Sequence, residues 1–460
     1  MSNELYAVIL AAGEGKRMKS SKSKVLHKIL GKEMIRYGIE AAAEAGVKES
    51  CIIIGNKAEQ IKEALGEGYT YAYQYEQKGT GHAVKMADEF LKDKRGNTIV
   101  LCGDVPLITA DTLKGLVEEH EENNNAATII TADFDDPKGY GRIVRNEDGS
   151  FCKIVEDRDC NEYEKKIREC NSGIYIFKTE ELIKGLLNLN NNNDQKEYYL
   201  TDVPANIKDS GMKVGLFKIE DSRETLGVND RIQLAQVSEI MKDKIIEKHM
   251  REGVTFVDPK SCFVSKDVKI GMDTVVYPNC ILEGDTVIGE ECIIGPNSRI
   301  VSANICNYAE INNSVILEST IGEKTKVGPF AYVRPGNSVG SNVKVGDFVE
   351  LKKSVIGDGT KISHLTYVGD SEIGRNVNLG CGVVTVNYDG KNKFKTKVGD
   401  NSFVGCNVNL VAPVEVADNT FIAAGSTITD YVPEQALAIA RQRQTNIDGW
   451  VKRAGKERGK

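Results

Sequence analysis

What this chain lacks narrows its function first. None of its apolar runs approaches the ~18 residues that a membrane-crossing helix needs. The opening residues, MSNELYAVIL, lack a basic stretch followed by a long apolar one, so no secretion leader is expected. Positive charge is not in excess: 60 Lys and Arg face 67 Asp and Glu, a net charge of -7. That balance argues against nucleic acid as the main partner, because a phosphate backbone wants a basic face. The 11 cysteines are odd in number and form no CxxC pair, so reduced, mostly buried thiols are expected. The five histidines (His27, His82, His120, His249, His364) lie far apart in sequence, and no zinc-type spacing joins them to cysteine. The expectation is a soluble cytoplasmic protein with no membrane or nucleic-acid partner.

With 460 residues, two or more domains are expected. The first part, residues 1–228, alternates apolar runs with helical stretches. YAVIL (6–10), SCIIIG (50–55), NTIVLCGD (97–104) and ATIITA (127–132) predict buried strands; MIRYGIEAAAEAG (34–46) and TGHAVKMADEFL (80–91) predict helices. Near-continuous apolar strands between helices predict a mainly parallel, Rossmann-like sheet covered on both faces. In such sheets ligands bind beyond the carboxyl ends of the strands. Residues 229–252 predict one charged connecting helix, with Ile232, Leu234, Val237, Ile240, Met241 and Ile245 as its apolar positions.

From residue 253 to 460 the rhythm changes to a period of six. Three ladders carry it: Ile270 to Ile300, Ile321 to Leu351 and Val398 to Ile428. Neither the helical period nor strand alternation gives six. A left-handed parallel β-helix of hexapeptide repeats does, each aliphatic side chain stacking on the coil below. Glycine often follows the apolar residue, as at Gly271, Gly289, Gly322, Gly340 and Gly399, and is expected to supply left-handed backbone at the corners. The stretch TVNYDGKNKFKTK (385–397) breaks the ladder and predicts an inserted loop that carries function.

The stretch LAAGEGKRM (10–18) follows the first strand and offers Gly13, Gly15, Lys16 and Arg17, with Lys24 close behind. Phosphates need such backbone N–H groups and cations. Asp104, at the end of another strand, suits a magnesium ion that otherwise keeps water and phosphate. Alone, the loop is equally a structural turn, and it has neither P-loop nor dinucleotide spacing. In the second half, His364 is the only histidine. A neutral imidazole can take a proton from an amine, although a polar residue on a coil is equally a surface residue.

Together with KVLHKILGKEMI, QKGTGHA, CGDVPL, GYGRI, VED, CNSGIY, GVND and the hexapeptide half, these residues make nearly the whole chain resemble one family. It is the bacterial bifunctional N-acetylglucosamine-1-phosphate uridyltransferase / glucosamine-1-phosphate acetyltransferases. The resemblance implies Mg²⁺ as cofactor and UTP, acetyl-CoA and the two amino-sugar phosphates as small-molecule partners. It implies that Leu10, Ala11, Ala12, Gly13 and Lys24 contact the nucleotide and that Gln74, Gly79 and Thr80 meet the uracil. Cys102, Gly103 and Asp104 would flank the phosphates; Gly141, Glu156 and Asn171 would hold the sugar. Asp104 and Asn229 would ligate the metal, and Arg17 would stabilise the transferring phosphate.

For acetylation the resemblance implies His364 as base, Arg334 and Lys352 on the sugar phosphate, and Tyr367 and Asn378 on the sugar. Cys381, Asn387, Tyr388, Cys406, Ala424 and Arg441 would line the acetyl-CoA groove. Family members carry alanine and serine where Cys381 and Cys406 stand, and threonine or serine where Lys16 stands. Lys16 either adds a cation near pyrophosphate or points to solvent, the latter being expected. The basic tail 453–460 is expected to be solvated, with cover for the coenzyme phosphates as the other reading. A homotrimer is implied, with the acetylation site between neighbours. Two other readings are a single-activity pyrophosphorylase with a regulatory β-helix and a non-catalytic assembly subunit. The first predicts no acetyltransferase residues and the second a decayed first loop, whereas both sets are present here.

Overall fold

The computed structural model describes residues 4–193 and 195–457. One sheet organises the N-terminal unit. Its strands are β1 (Leu5–Leu10), β2 (Glu49–Ile54), β3 (Thr70–Tyr73), β4 (Asn97–Cys102), β5 (Ala127–Asp133), β6 (Arg142–Arg145), β7 (Phe151–Val155), β8 (Glu169–Lys178) and β9 (Val214–Lys218). Their order is β9-β5-β8-β4-β1-β2-β3, with β6 on β8 and β7 on β6. The predicted strands fall on β1, β2, β4 and β5. β1 lies parallel to both β2 and β4, whereas β8 runs antiparallel between β4 and β5.

Both faces of this sheet are buried, which is why the strands read as unbroken apolar runs. Ala7 and Ile9 enter one core while Tyr6 and Val8 enter the other. Helices α1 (Met34–Glu44), α2 (Ala58–Leu65), α3 (Thr80–Lys85), α4 (Asp88–Leu91), α5 (Ala110–Glu122), α6 (Thr179–Leu187) and α7 (Asp202–Asp209) cover the two faces. α1, α2 and α5 pack on the Ala7 side; α3, α4, α6 and α7 pack on the Val8 side. The single helix expected over 80–91 is broken into α3 and α4 at Met86–Ala87.

The connecting helix, α8, runs Arg231–Arg251. Val237, Met241 and Ile245 are buried along it, but Ile232, expected on the apolar stripe, is exposed. The chain divides into two units between Met241 and Lys242, inside this helix. Among the described residues no helix is long and apolar enough to cross a membrane.

The second unit is the left-handed parallel β-helix of hexapeptide repeats. Very short strands stack into three parallel sheets of 11, 10 and 9 strands among the described residues. Ile270 pairs with Ile288, Val276 with Ile294 and Leu282 with Ile300, so one coil is three hexapeptides. Every ladder residue, from Ile270 through Leu351 to Ile428, is buried. Ile294 then pairs with Ile311 and Ile300 with Ile316, so five-residue steps interrupt the period between ladders without breaking the stack. The expected insertion is present: Ile373 pairs with Val398, and the extra residues form a loop closed by a Tyr388–Lys393 bridge.

The ladder glycines do a different job from the one expected. Of those that follow an apolar ladder residue, only Gly328 has a positive φ; the left-handed corners are taken by other residues such as Asp273, Asn279, Asn297 and Asn342. Asparagine and aspartate tolerate that backbone region because their short side chains bond locally. Glycine is required instead by the stacking of coils. A Cβ on Gly322 would sit 2.4 Å from the carbonyl carbon of Gly340, and one on Gly271 would sit 2.6 Å from that of Gly289.

Candidate active sites

The N-terminal site forms where β1 and β4 end side by side, with Leu10 paired to Cys102. The chain turns off both strands at once: Gly103 N–H donates to the Leu10 carbonyl at 2.9 Å, and Ala11 N–H donates to Ile53 at 2.8 Å. A Cβ on Gly103 would stand 3.0 Å from the Leu10 carbonyl, so the turn needs a residue this small. Leu10, Ala11, Ala12, Gly13, Lys24, Gln74, Gly79, Thr80, Cys102 and Asp104 line one cavity of ≈ 280 Å³. Sequence alone had brought these residues together only through the family resemblance.

Past Gly13 the loop passes through Gly15, whose φ of 62° favours glycine, into a single tight turn, Lys16–Met18. Met18 is buried and anchors the turn, and Arg231 of α8 holds the Met18 carbonyl at 3.3 Å. Lys16 pairs with Glu14 and is 85% exposed, so it faces solvent. Arg17 is exposed and stands outside the cavity lining.

The Lys24 ammonium bonds both the Asp104 carboxylate and, at 3.3 Å, the Asn229 amide oxygen. Asn229 reaches this point because Val228 N–H donates to the Asp104 carbonyl at 2.9 Å. A cation is thus already held between the two expected metal ligands, from sequence positions 125 residues apart. One carboxylate and one amide oxygen beside a glycine-containing loop suit Mg²⁺, which keeps most of its ligands as water and phosphate. Cys102, between the strands, is no nucleophile: burial first, then Asp104, push its thiol up to about 12.

Gly141, Glu156 and Asn171 cluster together, outside the lining of this cavity. Asn171 N–H donates to the Gly141 carbonyl at 2.8 Å, and a Cβ on Gly141 would meet Asn171 at 3.7 Å and the Glu156 carboxylate at 3.8 Å. Glu156 accepts from Thr201 at 3.1 Å and lines a second opening of ≈ 960 Å³. Burial, reinforced by Asp159 and Asp202, raises its carboxyl above the usual range. Four residues lining this cavity escaped the sequence reading: Val25, Ala83, Glu197 and Gln77, whose amide donates to the Ala12 carbonyl at 2.6 Å. Gln77 stands inside the quoted QKGTGHA motif, which was its only signal.

On the β-helix, stacking of coils builds a second constellation. His364 Nδ1 lies 2.6 Å from the Asp347 carboxylate, its register partner one coil earlier. That hydrogen bond, ahead of the other contributions, holds Asp347 below the usual carboxylate range. Tyr367 follows three residues after His364, and Asn378 pairs with Lys361 on the next coil. Lys352 donates to Asp370 at 2.8 Å, and the Asn387 amide donates to the same oxygen. Burial alone would raise the Asp370 carboxyl, but the Lys352 and Asn387 hydrogen bonds and the Lys352 charge hold it low. Arg334 pairs with Glu350 at 2.9 Å.

From the inserted loop, Lys393 stands beside Lys352, whose ammonium pulls it below the ordinary lysine range. The Asp370 carboxylate acts on both ammoniums as their shared counter-charge. Cys381 and Cys406 occupy matched corners, since Asn407 N–H donates to the Cys381 carbonyl at 2.8 Å. Ala424 and Arg441 continue this column: a Cβ on Gly405 would touch Ala424 N at 2.6 Å, and one on Gly425 would stand 3.7 Å from Arg441. Tyr388 is exposed at the loop tip, its hydroxyl on the Gly390 carbonyl at 2.6 Å. Asp347, Glu350, Asp370 and Lys393 were missed from sequence. The signal was spacing, since each of the first three stands 16 to 18 residues from a partner, one coil away. Of the basic tail, residues 453–457 are described and exposed, and 458–460 lie outside the described residues.

Comparisons with known proteins agree with this division. The nucleotidyl transferase family model matches residues 6–222. The bacterial transferase hexapeptide model matches residues 267–302 and 395–430. A bifunctional protein GlmU from Acetivibrio thermocellus is 58% identical over 451 residues, covering 98% of both chains. Bifunctional GlmU proteins of Clostridium beijerinckii and Clostridium acetobutylicum are 54% and 52% identical over 450 residues, again covering 98% of both chains.

Proposed function

The chain belongs to the family of bifunctional GlmU proteins, and on that premise we propose which of its residues perform each reaction. It is a two-activity enzyme of UDP-N-acetylglucosamine synthesis. It acetylates glucosamine 1-phosphate with acetyl-CoA, then transfers UMP from UTP to N-acetylglucosamine 1-phosphate and releases pyrophosphate. Mg²⁺ serves the second step.

In residues 1–228 the uridylyl transfer needs no protein nucleophile. A sugar-phosphate oxygen attacks the α-phosphorus of UTP, so catalysis is positioning and charge neutralisation. Backbone from Leu10 to Gly13 and around Gly103 cradles the phosphates, and Lys24 neutralises them. Arg17, exposed and without a side-chain partner among the described residues, closes on the charge that develops at phosphorus. Gln74, Gly79 and Thr80 take the uracil; Cys102 walls the phosphates; Gly141, Glu156 and Asn171 take the amino sugar. Asp104 and Asn229 hold Mg²⁺, which when bound withdraws charge from the triphosphate. Residues 229–252 connect this half to residues 253–460.

In the β-helix the Asp347 carboxylate accepts the Nδ1–H of His364 and fixes that tautomer. The lone pair then sits on Nε2, which takes a proton from the 2-ammonium of glucosamine 1-phosphate. The freed amine attacks the thioester carbonyl, coenzyme A leaves as thiol, and no acyl-enzyme forms. Arg334 and Lys352, joined by Lys393, hold the phosphate; Tyr367 and Asn378 hold the sugar. Cys381, Asn387, Tyr388, Cys406, Ala424 and Arg441 line the coenzyme groove. The observation that carries this half is the 2.6 Å Asp347–His364 pair, with the Lys352–Asp370 bond linking the same two stacked coils.

The assembly is a homotrimer of cytoplasmic protein. Support comes from Phe330 and Phe348, stacked at 5.5 Å and both exposed, with Leu365 exposed at the next corner beside His364. Apolar columns of this kind suit subunit packing. Thiol release from acetyl-CoA and glucosamine 1-phosphate, and pyrophosphate release from UTP and N-acetylglucosamine 1-phosphate, test the reading. Both are expected from one purified chain sedimenting as a trimer. Pyrophosphate without thiol release would leave a single-activity pyrophosphorylase, and an acetylating monomer would overturn the trimer.

A further inference from the structure

The nucleotide cavity contains one side chain whose orientation is fixed from behind. Gln74 follows β3 and is 5% exposed, yet it lines the cavity. Its Nε2 donates to the Gly79 carbonyl at 3.0 Å. A carbonyl only accepts, so this bond decides which end of the amide is nitrogen. The same Nε2 lies 3.1 Å from His82 Nδ1. With one amide hydrogen on Gly79, the other goes to Nδ1, which must then be the bare nitrogen of a neutral ring.

Groups around His82 keep it neutral. Burial disfavours its charged form, and Lys78 and Lys85 act in the same direction; Glu76 opposes them, and the Tyr198 ring lies 6.4 Å away. Both donors of Gln74 are therefore occupied inside the protein. Its Oε1 has no protein partner among the described residues and faces the cavity. Gln74 thus offers the cavity an acceptor and no donor.

We propose that His82 is a positioning residue that locks Gln74 as a pure hydrogen-bond acceptor and thereby selects uracil over cytosine. Uracil presents N3–H, a donor, to that oxygen. Cytosine presents a bare N3 lone pair at the same place, which meets Oε1 with no hydrogen between them. A freely rotating amide would turn its NH₂ outward and accept cytosine. Losing a designed hydrogen bond in a buried polar site discriminates strongly, because the site's own group is left unpaired. The inference rests on the reading that Gln74 meets the base.

The test compares kcat/KM for UTP and CTP in the full-length enzyme, read by pyrophosphate release with N-acetylglucosamine 1-phosphate. His82→Phe is expected to lower the UTP/CTP ratio about tenfold or more, chiefly by raising KM for UTP. His82→Leu, smaller and also unable to accept, gives the same readout if the larger ring disturbs the fold. His82→Asn, whose Oδ1 can replace Nδ1 as acceptor, is expected to restore most of the ratio. A merely structural role would lower both substrates together and leave the ratio unmoved. If both apolar variants keep the ratio while Gln74→Ala loses it, the positioning role is overturned and the uracil reading stands. If Gln74→Ala keeps the ratio, the uracil reading falls, and the inference with it.

Discussion

Replacing Asp370 by asparagine tests whether one carboxylate organises the acetylation site. Asp370 accepts from Lys352 at 2.8 Å and from Asn387, and the two charged side chains are 16% and 11% exposed. At that distance and an effective dielectric of ~20, the Coulomb attraction is about 6 kcal/mol before desolvation. Removing one partner of a buried pair costs about 3–5 kcal/mol. Asparagine keeps a hydrogen bond and Lys352 borders an open groove, so about 2 kcal/mol is the expected loss. For a unit of this size that lowers the melting temperature by about 4–8 °C. Calorimetry should find the shift in the β-helical unit's transition and not in the other. The variant also leaves Lys352 and Lys393 without their shared counter-charge, so the phosphate holders spread. KM for glucosamine 1-phosphate should rise about tenfold or more while uridylyl transfer is unchanged. The pH dependence has a definite sign. The Asp370 carboxyl is held low in the folded chain, so its contribution is present above the usual carboxylate value and is lost on acidification. The stability gap between wild type and Asp370→Asn should therefore shrink below about pH 3.9. Wild-type melting and wild-type KM in the variant would refute the organising role.

Other consequences are separable. Asp347→Asn should lower kcat for acetylation about 10- to 100-fold, with KM for acetyl-CoA unchanged, because His364 loses the acceptor that fixes its tautomer. Thiol release measures this, and an unchanged kcat would remove Asp347 from the mechanism. Arg17→Ala should lower kcat for uridylyl transfer about 100-fold with little change in KM for UTP, since the exposed side chain acts on charge that appears only in the transition state. A rise in KM alone would make Arg17 a ground-state contact. Chelation of Mg²⁺ should abolish pyrophosphate release and leave thiol release intact, with recovery on adding the metal back. Loss of both activities would place a metal requirement in the β-helix too.

The hexapeptide half was the more legible in sequence, for a physical reason. Its inward residues repeat at a fixed interval, so Ile270, Val276 and Leu282 announce the coil before any coordinates exist. The sheet strands were legible as apolar runs because both faces are buried. What sequence hid were the less regular pieces. β8 contains Glu169, Asn171 and Ser172 among its apolar residues, β6 is short with an arginine at each end, and β7 is short with Lys153 at its centre, so none of them stood out as an apolar run. The role of the ladder glycines was misread because close approach between coils is invisible along a single strand. Site residues were legible where they sit in compact motifs, as Gly13 and Asp104 do. Asp347 and Asp370 belong to their partners only through the stack. The coil length of 16 to 18 residues converts sequence separation into contact, and applying it to His364 and Lys352 would have found them.

The central claim is that two independent sites share this chain, and two folded variants assayed in parallel test it most directly. Thiol release and pyrophosphate release should be measured on His364→Ala and Asp104→Ala. His364→Ala is expected to lose acetylation and keep uridylyl transfer nearly intact; Asp104→Ala is expected to do the reverse. Loss of both activities in either folded variant would contradict the division.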